Sequence, residues 1–325
     1  MNTLRYYVVF ILLTSMCCGH NEQGVPEIAK HQDQIENSEP TKEYYNKATD
    51  GALLLTRFKS LDDFKTIVQV QYYGDTSGTK RIIGNNPFVL LTYHCGNINI
   101  TSSLKAGINQ SDLVQAKKGN LWDQIVLVLK YPYVLLYKRD LVSVENLGRR
   151  RPWTFGLGDV AYYDIAETTV SHIVYEDRIK MSAEDLSEKG YLNTFNHITA
   201  QALMSSMFSE GLADFVADVH ERFNMPELVT GKFKEAQLDD FENGPVDNYV
   251  DMLNNEWGQI LGQKLKKKYS INRNTSWTPE LLANYLNDIQ GYYSWVFQIG
   301  FTPFRSTDDK VIQFAKKINT VRKDS

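Results

Sequence analysis

Steps of three and four residues govern the chain from Asn193 to Phe297, and that spacing points to helices. Phe195 to Phe208, Gly211 to Phe223 and Val246 to Tyr269 each read as a helix, with Pro226 to Pro245 as a loop before the last of them. Thr278-Pro279-Glu280 marks a further start, because threonine caps and proline is tolerated in a first turn. Behind it Leu281, Leu282, Tyr285, Leu286, Ile289, Tyr292 and Tyr293 extend one apolar stripe to Phe297. The expected fold class is therefore mainly α: one multi-helix domain over residues 44–320, with room for a few short strands in its N-terminal half.

That half is less patterned. Ser60 can cap a helix carrying Leu61, Phe64, Ile67, Val68 and Tyr72 on one face, with Asp62 and Asp63 favoured in its first turn. Gly74 to Gly84 is a turn-rich break. Phe88 to Tyr93 is a strand or a buried helical segment, which periodicity alone does not separate. Trp122 to Tyr137, broken by Pro132, reads as two short buried helices or two strands. A basic, glycine-rich connection from Leu147 to Gly158 leads to a helical stretch from Asp159 to Lys180, and Ser182 starts another helix. His172 reads as a packed or hydrogen-bonded residue rather than a catalytic one, and Cys95, beside His94, as a buried free cysteine rather than a metal or thiol site.

A chain of 325 residues, 42% apolar and 12% aromatic, can build a conventional core. It must, because Cys95 is the only cysteine outside the N-terminal segment, so the domain has no internal disulfide to rely on. The formal charge of −4 and a pI near 5.9 exclude the basic footprint of a nucleic-acid binder. The basic run Lys264, Lys266, Lys267 and Lys268 reads as the last turn of a helix, where cations suit the dipole.

The first 18 residues have the layout of an export signal. Arg5 is the one charge before an apolar run from Val8 to Leu13, which is far short of the ~20 residues a bilayer span needs. Leu13-Thr14-Ser15-Met16-Cys17 resembles the lipobox of bacterial lipoproteins, with Met16 where a small residue normally stands. Cys17, or alternatively Cys18, is the expected lipidation site. Residues 19–43 are polar and read as a flexible tether. The expected partner is a membrane, held through the N-terminal lipid, and the expected location is the bacterial cell envelope, periplasmic or surface-exposed.

Three polar patches fall between residues 190 and 270. Asn193 and His197 lie four apart and share a helix face. Asp214, Asp218 and Glu221 repeat that step beside His220. Asp247, Asp251, Asn254 and Asn255 repeat it again. Inward stripes of this kind build metal sites in helical bundles. His197, Asp218, His220 and Asp251 are the candidate ligands for one divalent ion. His197, His220 and Glu221 are the candidate catalytic groups, with Glu221 as general base toward a metal-bound water. Asn193, Asn254 and Asn255 are candidates for orienting ligands or substrate. The spacing is not the His-Glu-x-x-His zinc motif, since Asn224 stands where the second histidine would be. Helix capping and satisfaction of buried backbone groups account for the same residues equally well.

The order Asn-x-Phe-x-His, Ala-Asp-x-His-Glu and Asp-x-x-Asn-Asn-x-x-Gly resembles an uncharacterised bacterial family of lipoproteins and exported proteins. Similar segments occur at the tails of polymorphic toxins. The matching positions are Asn193, Phe195, His197, Asp218, His220, Glu221, Asp251, Asn254, Asn255 and Gly258, and Asn196 replaces the family's arginine. The resemblance implies that the three patches form one unit. Two expectations follow: a metal-dependent hydrolase of the cell envelope, with a toxin-like effector as its variant, or a non-enzymatic surface lipoprotein whose polar cluster is structural.

Overall fold

The computed structural model describes residues 51–73, 87–95, 98–225, 227–230 and 244–323. The export signal with Cys17 and Cys18, the tether, and most of the Gly74–Gly84 and Pro226–Pro245 segments lie outside these residues. The described chain is mainly helical, as expected, with one small sheet in the N-terminal half.

The sheet corrects one expectation. Ser60 does cap a helix, accepting from the Asp63 N–H, but that helix is the single turn Leu61–Phe64. The chain then enters β1 (Val68–Tyr73), because Val68 and Val70 alternate with Gln69 and Gln71 and favour a pleat over a helical stripe. β1 pairs antiparallel with β2 (Phe88–Cys95), and β2 with β3 (Ile98–Lys105), in the order β1-β2-β3. His94, exposed on β2, bonds Asn99 across the strand pair.

Nine longer helices follow among the described residues: α1 (Gln110–Lys118), α2 (Leu121–Lys130), α3 (Lys138–Leu147), α4 (Tyr162–Ser171), α5 (Tyr191–Met207), α6 (Glu210–Glu221), α7 (Pro245–Lys268), α8 (Pro279–Phe297) and α9 (Asp309–Lys323). Thr278 caps α8 as its sequence requires. Lys266, Lys267 and Lys268 close α7. The helix expected at Ser182 does not form. Ser182 and Asp185 instead cap each other across one turn, each backbone N–H donating to the other's side chain.

The segment 122–137 folds as two helical pieces meeting at Pro132, but the expectation that they are buried fails. No residue of α2 is buried, and Trp122, Leu129 and Leu136 are 72%, 65% and 76% exposed.

Two apolar clusters make the core. The larger gathers α3 to α6, α8, α9 and the end of α7. The smaller sits between the sheet and the first half of α7, around Tyr249, Leu253 and Trp257. α7 is thus the shared spine, and its neighbour along most of its length is α5. The aromatic series of α8 belongs to the core, with Tyr285 and Tyr293 fully buried. His172 is packed on Phe304 and bonded to Gln290.

Candidate metal centre

The centre is made where α5, α6 and α7 come together. α5 and α7 are joined by a ladder of polar pairs: Asn193 with Asp251, His197 with Asn255, Gln201 with Gln259, and Gln263 with the Ser205 carbonyl. Each pair is 58 residues apart. A constant offset means that the helices run parallel and in register, each contributing every fourth residue.

Two glycines permit this approach. A Cβ at Gly262 would lie 2.4 Å from the Ala202 carbonyl oxygen, and one at Gly258 would lie 2.8 Å from that of Ile198. Backbone therefore packs on backbone, and short side chains such as asparagine reach across.

α6 returns antiparallel. Ser209 caps it two residues after α5 ends, accepting from the Leu212 N–H at 3.1 Å. At about 1.5 Å per residue, α6 runs back as far as His197 lies from the end of α5. His220 and Glu221, in its last turn, therefore arrive beside His197.

The resulting constellation is dense. The Asn255 amide donates to Glu221 Oε1 at 3.0 Å, and its carbonyl oxygen pairs with His197 Nδ1 at 3.0 Å. The other imidazole nitrogen, Nε2, stands 3.3 Å from Asp251 Oδ2, and Asn193 donates to Asp251 Oδ1 at 2.9 Å. One donor atom each from His197, His220 and Glu221 lie within 4.8 Å of one another. A tetrahedral ion with bonds of ~2.0–2.1 Å holds its donors ~3.4 Å apart, so the group would close by roughly an ångström on loading.

Burial sets the protonation. His197 is driven below its usual pKa by burial, only partly offset by Asn255. His220 is open to a cavity but crowded by protein, and falls to about 4 through lost hydration and the neighbouring His197. Both imidazoles are therefore neutral near pH 7, the form that binds metal. Glu221 is pushed well up by burial and then by Asp251. Asp251 is pushed well up by burial, against the opposing bond from Asn193. Among the described residues no lysine or arginine pairs with either carboxyl.

His197, His220, Glu221 and Asn255 line one large cavity, of about 2540 Å³, whose other walls come mainly from α1 to α3 and α6. The centre thus has a protein side, occupied by Asp251 and Asn193, and an open side.

Two expected residues lie elsewhere. Asp218 is not in the group: it pairs with Arg222 four residues on in the same helical run, and burial raises its carboxyl to about 7. Asn254 faces away from the centre, accepting from the Leu53 N–H at 2.8 Å and donating to the Leu53 carbonyl at 2.9 Å. It fastens the N-terminal segment to α7. Sequence reasoning missed Gln201, Gln259 and Gly262, although Asn193, His197, Gln201 and Ser205 recur every four residues in plain view. Comparison with known proteins finds no matching family model, no matching curated protein and no matching solved structure.

Proposed function

We propose that this chain is a divalent-metal-dependent hydrolase centred on His197, His220 and Glu221. The observation that carries the reading is the meeting of two neutral imidazoles and a buried carboxyl on the wall of a large cavity. Buried carboxyls without a basic partner are neutralised either by keeping a proton or by a bound cation. Two histidines and one glutamate, with a fourth position open, are a ligand set used by catalytic zinc. Such an ion supplies a Lewis acid and a nucleophilic water at neutral pH.

The chain's own groups divide the remaining work. Asn255 orients His197 and Glu221 together. With Nε2 against Asp251 on the protein side, His197 would offer Nδ1 to the ion in place of its contact with Asn255, Asp251 would hold the ring, and Asn255 would keep Glu221 in place. Asn193 fixes Asp251, which lies on the protein side of that ring. The lipobox-like segment supports export and lipid anchoring at a bacterial envelope, where the substrate would be met. The toxin-like variant rests on the family resemblance alone.

Elemental mass spectrometry of residues 20–325, prepared without chelator, tests the reading. About one equivalent of a divalent metal is expected in the wild type and none in His197→Ala or His220→Ala. A wild type that stays empty after loading overturns it.

The alternative is a binding or structural lipoprotein, favoured by the structural bonds of Asn254 and the Gln201–Gln259 pair. It predicts that His220→Ala lowers the melting temperature. The metal reading predicts an unchanged melting temperature in chelator, because His220 is exposed and makes no hydrogen bond among the described residues.

A further inference from the structure

All but three residues of α2 (Leu121–Lys130) are apolar, yet none is buried. A helix with so wide an apolar face, Asp123, Gln124 and Lys130 making its one polar side, normally packs on a core or a membrane. This one instead roofs the cavity that the metal centre faces.

The cavity has room for an occupant larger than a small metabolite. At about 2540 Å³ it exceeds the ~300–1,000 Å³ that serves small molecules. Its mainly apolar lining favours a long apolar occupant over a glycan or an extended peptide. Those need hydrogen-bonding groups along their length, whereas Leu113, Val114, Ile125, Val128, Phe215 and Val216 offer none from their side chains. Polar lining groups flank this apolar strip, Gln110, Gln124 and Tyr163 among them, with His197, His220, Glu221 and Asn255 on the wall formed by α5 to α7. Charged lining groups lie along the same cavity. Lys117, Lys118, Lys138 and Arg149 line the cavity against Asp123 and Glu145. Asp123 caps its own helix and Glu145 pairs with Lys117 and Arg151, which leaves Lys118 and Arg149 as lining cations with no ion pair among the described residues.

We infer that the cavity takes a long-chain acyl lipid with an anionic head, its chain along α1 to α3 and its acyl ester at the His197–His220–Glu221 cluster. The placing of the ester rests on the hydrolase reading; the binding of the chain does not. In the reaction water adds across the acyl C–O bond. The carbonyl carbon gains the hydroxyl, and the alcohol oxygen leaves with the proton. The products are a long-chain carboxylic acid and an alcohol.

The test uses the full chain from cell-free translation, which attaches no lipid. cis-Parinarate, a fluorescent fatty acid, is titrated in and then displaced by saturated fatty acids. Affinity is expected to rise about fourfold per added methylene from octanoate toward palmitate. Hexadecyltrimethylammonium, of equal chain length and opposite charge, should displace at least tenfold less well. Ile125→Asp and Val128→Asp, at half-buried positions, should each weaken parinarate binding more than tenfold. Val142→Asp, at an exposed lining position, serves if those two fail to fold. Displacement independent of chain length, or unchanged binding in folded variants, would overturn the inference and mark α2 as a surface for a protein partner. The titration is repeated after chelation with metal content read on the same samples. Chain-length dependence without metal sinks the hydrolase reading alone. A full equivalent of metal without chain-length dependence sinks the lipid inference alone.

Discussion

Asn254 and Asn255 are adjacent and almost equally buried, and they do different work. Asn254 bonds both backbone groups of Leu53, and because the Thr194 hydroxyl also donates to that carbonyl, Asn254→Ala leaves the buried Leu53 N–H unmet. One such group costs ~1–3 kcal/mol, and the variant should melt below the wild type while binding metal to the same extent as the wild type does. Asn255→Ala removes the shared clamp on His197 and Glu221. Outer-shell losses of this kind weaken metal binding ~10–100-fold, measurable by competition with a chelator of known affinity. A pair in which both variants lost metal equally would remove this division of labour. Adjacent residues on a helix point ~100° apart, and nothing in the string Asn-Asn says which faces the site. The same blindness misplaced Asp218. Its spacing to Glu221 was legible, but the carboxylate is taken by Arg222 one turn along. His197, His220 and Glu221 were legible because each sits in a patch where polar residues interrupt an otherwise apolar stripe.

At the scale of elements, the α5–α7 contact depends on missing side chains. Glycine to alanine inside a helix ordinarily stabilises by ~1 kcal/mol. At Gly262 the new Cβ would meet Ser205 Oγ at 2.1 Å and the Ala202 carbonyl oxygen at 2.4 Å. The latter is backbone and cannot swing aside, so α7 must move as a unit. Overpacking costs of ~1–3 kcal/mol outweigh the propensity gain, and Gly262→Ala should lower the melting temperature. Gly291 in α8 is the control, with nothing within 4 Å of its ideal Cβ. Gly291→Ala should raise the melting temperature. Equal shifts of the same sign in the two variants would remove close approach as the reason for glycine at 262. The helices that carry the site were legible because their caps and stripes agree over many residues, as with Thr278 and α8. The failures lie where the signal is short. Ser60 caps one turn before Val68 and Val70 begin to alternate, and Ser182 with Asp185 satisfies a turn that goes no further. The exposure of α2 was illegible for a different reason. Apolar composition says that a helix wants cover, and does not say whether the chain itself provides it.

The whole molecule is fastened at points distant in sequence, and one of them should set its acid stability. Asp164, buried at the start of α4, accepts two bonds from Arg150, one from the Ala161 N–H and one from Lys310 in α9. Asp185 likewise gathers Thr56, Ser182 and Arg57, tying the first described segment to the turn before α5. Burial works to raise both carboxyls, yet their partners prevail and hold both below the usual aspartate value. A carboxyl depressed in the folded state binds its proton more readily when unfolded. The stability it contributes is complete above the unfolded value of ~3.9 and is lost as pH falls through the folded one. The urea midpoint should therefore fall as the medium is acidified through the carboxylate range. Asp164→Asn keeps the shape and gives up the charge. It should lower the midpoint at neutral pH and flatten the acid limb, because its partners Arg150 and Lys310 are half-exposed and can turn to water. The Asp164→Asn and Asp185→Asn double variant should flatten it further, nearly by the sum of the single effects, since the two clasps share no partner. An acid limb as steep in the double variant as in the wild type would place the acid sensitivity in other carboxylates and leave these two clasps with a packing role only.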